Sequence, residues 1–155
     1  MNRDEPLGLG GRQQAEAGVA VRSVSVLVRN ASGRTLLQLR DSFTETFPLL
    51  WGFWGGAMAP IDATPAHCAA RELGEELALD ALATDFDHVG VRRSSRGEAW
   101  LMLYRRPVEW GMFQVREGAG AAFLWRREII QLTLAKPVAD HLRTDPDLFF
   151  DVPGA

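Results

Sequence analysis

Arg71-Glu72-Leu73-Gly74-Glu75-Glu76-Leu77 puts three carboxylates within five positions of a segment whose spacing predicts a single helix. Thr64 is a good N-cap and Pro65 suits the first helical position. Ala66, Ala69, Ala70, Leu73 and Leu77 recur at three- and four-residue intervals and give a core-facing stripe. Glu72 and Glu76 are four apart and share a face, with Glu75 beside them. Like charges at that spacing cost a helix about 0.2–0.5 kcal/mol per pair. They also stand in its C-terminal half, where the macrodipole disfavours anions. Arg71 can neutralise one carboxylate. The others are either a solvated acidic face, the ordinary reading of a charge run, or ligands of a hard divalent cation such as Mg²⁺ or Mn²⁺.

Working outward, Val19 to Arg29 has the alternation of a strand, with Val24, Val26 and Val28 on one face. Asn30-Ala31-Ser32-Gly33 is turn chemistry and Arg34 to Arg40 returns as a strand, which predicts a hairpin. Asp41 to Pro48 is a polar loop, followed by Trp51-Gly52-Phe53-Trp54-Gly55-Gly56, where paired glycines point to positive φ or a close backbone approach. After the helix, Phe86 to Arg93 and Ala99 to Arg105 read as strands about the turn Ser94-Ser95-Arg96-Gly97. Phe113 to Arg116 and Ala121 to Trp125 are weaker strand candidates. Glu128 to Leu132 reads as a short helical turn and Pro137 to Arg143 as a last helix. The class is α/β or α+β, with a mixed sheet between helices. We expect a tail over residues 1–17 and one domain over 18–150.

The 155 residues suffice for a core without disulfides or metals as staples. A net charge of −3 argues against coating polymeric nucleic acid. No apolar run approaches the roughly 20 residues of a membrane span. Cys68 is the one cysteine, so no disulfide can form within the chain and a reducing compartment, the cytoplasm, is expected.

Around the acidic run the chain resembles the Nudix hydrolases. Their pattern is a glycine, five residues, a glutamate, seven residues, then Arg-Glu-aliphatic-x-Glu-Glu-x-Gly-aliphatic. Arg71 to Leu79 matches the second half, with Ala78 in place of the glycine. Gly55-Gly56 lies upstream at nearly the family distance, after a Trp51-Gly52-Phe53 approach similar to that of many members. Counting back from Arg71, the family's first glutamate falls on Ala63. Counting forward from Gly56, the acid falls on Asp62, followed by one residue too many. A one-residue insertion would therefore restore a shorter acid.

The resemblance implies cleavage of a diphosphate linkage in a nucleoside diphosphate derivative, with Mg²⁺ or Mn²⁺ as cofactor and a small phosphorylated substrate as partner. Nucleoside triphosphates, damaged nucleotides, nucleotide sugars and dinucleotide cofactors all belong to that class. It also implies a possible homodimer, since similar proteins are often dimers. Glu72 and Glu76 become the expected ligands, Glu75 a third ligand or water-positioning base, and Gly56 the source of a ligating carbonyl. Arg71 would orient a carboxylate. Glu117 is the candidate general base or extra ligand, against the reading of an exposed turn carboxylate, with Glu98 a weaker alternative. Arg40, Trp54 and Arg92 are the candidates for holding substrate. Arg92, Arg93 and Arg96 flank one turn and can grip a phosphate or simply form a solvated hairpin tip. Of Trp51, Trp54, Trp100 and Trp110, at most one is expected to stack on a base. Cys68 either borders the site or is a small buried residue, and His67 is expected at the surface. The missing glutamate at Ala63 motivates a second reading: a degenerate module that binds a nucleotide or phosphorylated metabolite without cutting it.

Overall fold

A computed structural model describes residues 21–154. The tail expected over residues 1–17 lies outside the described residues. Strands β1 (Val21–Leu27), β2 (Thr35–Leu39), β3 (Trp51–Gly52) and β4 (Trp54–Ala57) precede helix α1 (Pro65–Leu77). Strands β5 (Phe86–Ser94), β6 (Gly97–Tyr104) and β7 (Gly120–Leu124) follow, then helices α2 (Arg126–Ile129) and α3 (Lys136–Thr144). The architecture is α+β, built on a four-stranded sheet in the order β4-β1-β6-β5 and a three-stranded sheet in the order β3-β2-β7.

β1 is the hub. It runs antiparallel to β4, with Val24 opposite Gly56 and Ser25 opposite Gly55, and parallel to β6, with Val21 opposite Gly97. Those two partners fill both of its edges, which is why the predicted β1–β2 hairpin does not persist. Only its mouth forms, through the Arg29–Thr35 bridge and a 2.8 Å bond from Leu36 N–H to Val28 O. Beyond that, β2 leaves for the second sheet. The consecutive buried pairs Leu27-Val28 and Leu36-Leu37 fit this, because apolar side chains on both faces belong inside a layered fold.

Two apolar clusters lie on opposite sides of the strands. One joins Val24, Val26, Trp54 and Met102 to Cys68, Ala69, Leu73 and Leu77 of α1. The other joins Leu27, Leu37, Phe53 and Leu101 to Ile129, Val138 and Phe149. α1 starts as its sequence asks: Thr64 is extended and its side chain accepts a bond from His67 N–H. The stretch Phe113 to Arg116, expected as a strand, is irregular. Gln114 N–H and Arg116 N–H donate to Leu77 O and Glu76 O, at 2.9 and 2.8 Å. The last carbonyls of α1 thus take the donors a strand neighbour would have satisfied.

Candidate active site

The site forms where α1 meets β4. Gly55 has φ +125, and a Cβ there would stand 2.0 Å from Val24 O, so only glycine fits the ladder at that point. A Cβ on Gly56 would come within 2.6 Å of Glu72 Oε1, so the bare backbone is what lets that carboxylate approach. Gly55 N–H in turn donates to Glu76 Oε1 at 2.7 Å.

Glu72 and Glu76 are 9% and 4% exposed, so the acidic run is not a solvated face. Burial, then the neighbouring Glu75 and Glu117, push the Glu72 carboxyl up to about 7 against the pull of Arg71. Burial and a hydrogen bond with Glu117 push Glu76 up to about 10. Glu117 lies on the loop before β7, exposed, with its carboxyl near enough to Glu76 to raise it. Glu75 does not join the buried pair. Its side chain is 60% exposed at the rim and rests on Arg71 Nη1 at 3.2 Å.

Arg71 ties the approach loop to the helix. Its Nε and Nη2 donate to Asp62 at 3.0 and 2.8 Å, Nη2 donates to Ala57 O at 3.1 Å, and Nη1 lies 3.2 Å from Glu72. Burial alone would raise the Asp62 carboxyl. The bonds from Arg71 and from Ala59 N–H outweigh it and hold Asp62 below the usual carboxylate range. Ala63 is exposed, whereas Asp62 is buried on the arginine. The acid that forward counting from Gly56 selects is the one that meets Arg71. Cys68 borders the site and is also buried, with Sγ 3.9 Å from Gly56 O and 3.7 Å from Ala57 O. Burial, then Asp62 and Glu72, push its thiol up to about 12, which leaves no nucleophilic thiolate.

The three substrate-binding candidates fare differently. Trp54 is a correction: it is 1% exposed and its indole N–H donates to Leu36 O at 2.9 Å, so its ring is core and has no face for a base. Arg92 is another. It pairs with Ala99 on the sheet face that carries Leu101, away from α1, and on the edge strand furthest from β4. There it bonds Thr144 and lines a separate cavity of about 360 Å³ with His141 and Asp145. Arg93 donates to Glu98 at 2.9 Å, so the arginines of that turn do not converge on one anion. Arg40 stands just past β2, its guanidinium bonded to Thr46 O at 3.0 Å and Thr44 Oγ1 at 3.1 Å, bracing the loop that follows. Trp110 keeps an exposed ring, against Phe113 and Phe123, and His67 is exposed as expected.

One participant escaped the sequence reading. Gln38 is buried in β2, and its Nε2 donates to Glu117 O at 3.0 Å. An amide inside the apolar run Thr35-Leu36-Leu37-Gln38-Leu39 was the available signal.

Among the described residues no three acidic, histidine or cysteine side chains form a ready-made metal cage. Two buried carboxyls, held toward their protonated form until a cation neutralises them, and a nearby backbone carbonyl suit Mg²⁺ instead, which keeps several waters and shares itself with substrate phosphates. The residues present fit such an ion. Glu72, Glu76 and Gly56 O would hold it, with Glu117 in reach.

The NUDIX domain family model matches residues 19–138. A Nudix hydrolase of Pseudomonas aeruginosa is 33% identical over 97 residues, which are 58% of this chain and 57% of that protein, so the chain spans little more than half of its relative's length. Among solved structures, a Deinococcus radiodurans protein superposes with a TM-score of 0.65 at 20% identity, covering 80% of this chain and 82% of that one. The MutT protein of Methanosarcina mazei gives 0.63 at 22% identity, over 83% and 94%. The NUDIX domain of Shewanella oneidensis NrtR, solved with ADP ribose, gives 0.62 at 16% identity, over 83% and 88%. With its glycine pair, its buried glutamates and a family match over most of its length, the chain belongs to the Nudix family.

Proposed function

We propose that this protein hydrolyses a diphosphate linkage in a nucleoside diphosphate derivative, with Mg²⁺ or Mn²⁺ as cofactor. The observation that carries the reading is the burial of Glu72 and Glu76 against Gly55-Gly56, where Gly55 N–H donates to Glu76 Oε1 at 2.7 Å. Two carboxyls desolvated side by side, with a third at their edge, are an unfavourable way to build a helix face and a suitable way to hold a cation. When bound, such a cation supplies charge neutralisation at the phosphate oxygens and lowers the pKa of water.

The chain's own groups do the rest. Arg71 holds the approach loop through Asp62 and Ala57 O, and so keeps the Gly56 carbonyl facing α1. Glu117 takes the proton of the attacking water. Water oxygen bonds to one phosphorus, and the bridging oxygen departs with the electron pair of its broken P–O bond. Two phosphorylated products result. The NrtR relative was solved with ADP ribose, which contains such a linkage and belongs in the test panel beside nucleoside triphosphates and nucleotide sugars. We also propose a cytoplasmic location, on the single buried cysteine and a reducing compartment. Among the described residues no helix is long and apolar enough to cross a membrane.

The test is incubation of purified protein with Mg²⁺ and that panel, with product phosphates followed by ³¹P NMR. Turnover of one or more compounds, abolished by EDTA, is expected. Nucleotide binding by calorimetry with no turnover of any compound would instead favour the non-cutting module that Ala63 suggested.

A further inference from the structure

Gln38 is an amide where the strand asks for an apolar residue. It follows Leu36 on the face that packs toward α1, and it is 3% exposed. A buried amide is costly unless its donors and acceptors are met, so its presence calls for a task. Its Nε2 donates to the carbonyl of Glu117 at 3.0 Å. The turn it grips is pinned on both sides: Arg116 N–H bonds Glu76 O at 2.8 Å, and Ala119 N–H bonds Leu39 O at 2.8 Å. Gly118 has φ +92, and a Cβ there would stand 2.8 Å from both Gln38 Cγ and Leu39 O. The turn therefore lies directly on Gln38. The Glu117 residue itself is exposed, so its carboxylate owes its place beside Glu76 to this backbone anchoring rather than to packing.

We propose that Gln38 is a positioning residue, which holds the Glu117-Gly118 turn against β2 and thereby presents the Glu117 carboxylate to the Glu76 side of the site. The inference rests on the diphosphohydrolase reading for its consequence, but its first readout is metal binding. Four full-length variants test it: Gln38→Met, which keeps length but loses the donor, Glu117→Gln, the double variant, and Gly118→Ala. The last changes the turn and leaves the Gln38 side chain itself in place, its added methyl pressing the turn away from Gln38 and Leu39 O, so it carries the test should Gln38→Met fold poorly. Mn²⁺ affinity is read by EPR of the free ion, and kcat and KM on whichever panel compound is turned over. Gln38→Met is expected to lose about tenfold in Mn²⁺ affinity or kcat, the usual scale for an outer residue that orients a ligand, with KM little changed. Gly118→Ala should do the same. The double variant should be no worse than Glu117→Gln alone.

Two results overturn the proposal while leaving the hydrolase reading intact. In one, Glu117→Gln is impaired but both Gln38→Met and Gly118→Ala match the unmodified protein. In the other, the Gln38 and Glu117 effects multiply. If Glu117→Gln changes neither quantity, the roles of Gln38 and Glu117 fall together, and the effect of Glu76→Gln then decides the hydrolase reading separately.

Discussion

Arg71 touches Asp62, Glu72, Glu75 and the Ala57 carbonyl at once, a reach that only a planar guanidinium fork provides. Two predictions belong to this residue's partners. Asp62→Ala removes the partner that fixes the fork, and a tenfold or greater loss of kcat is expected. Ala63→Glu, which restores the family residue by sequence count, should give no gain, since position 63 faces solvent. An active Asp62→Ala protein, or a marked gain from Ala63→Glu, would return the acid's role to position 63. Glu76→Gln should abolish turnover, and it has a second signature without metal. The folded Glu72 and Glu76 carboxyls ionise near 7 and near 10, above the ordinary carboxylate range. The folded chain therefore binds protons that the unfolded chain releases. Their contribution to stability is complete below the ordinary carboxylate pKa and declines as pH rises toward those values. In EDTA, the unfolding free energy of Glu76→Gln minus that of the unmodified protein, read by chemical denaturation, should grow between pH 5 and pH 8, by at most about 1.4 kcal/mol per pH unit. A difference independent of pH would mean that Glu76 is not a buried acid.

At the scale of the element, α1 is well capped at one end and strained at the other. Ala78 closes it with φ 56, its N–H bonded to Gly74 O at 3.1 Å. The family pattern has glycine there, and the left-handed backbone says why. Ala78→Gly should raise stability by about 1 kcal/mol, read as the chemical denaturation midpoint, with turnover unchanged. A destabilised variant would mean that the alanine methyl is worth more in packing than its backbone costs. Most of α1 was legible in the sequence, because Thr64-Pro65 and the apolar stripe act locally. The irregular stretch Phe113 to Arg116 was not. Its apolar residues resemble a strand, and only the position of the Leu77 and Glu76 carbonyls, set by tertiary packing, removes it from a sheet.

The whole molecule shows the same division. The acidic helix, the glycine pair and the order of most strands could be read from the chain. The hairpin could not, since a turn signal at Asn30-Ala31-Ser32-Gly33 reports that the chain reverses, not which strands finally take the edges of β1. Trp54 misled for a related reason: its neighbours in sequence belong to the site while its ring belongs to the core. At this scale the prediction concerns metal removal. A cation that binds only the folded corner should stabilise the protein by about 2.7 kcal/mol at a hundredfold excess over its dissociation constant. The melting point should rise with Mg²⁺ at pH 8 and return on chelation. Glu76→Gln should lose most of that rise, and an unmoved melting point would argue against a metal site.

The parallel ladder between β1 and β6 sets Val21 beside Gly97, with α1 and four strands of chain between them. Such distant pairing closes slowly, because the entropy of a long loop must be overcome before any contact compensates it. On a ribosome, the strand that flanks Gly55 and Gly56 waits for β6 to emerge before its second edge is filled. Until then its apolar face and open edge are exposed to other chains, so the fold's most aggregation-prone moment comes late in synthesis, just before the corner that holds Glu72 and Glu76 is complete.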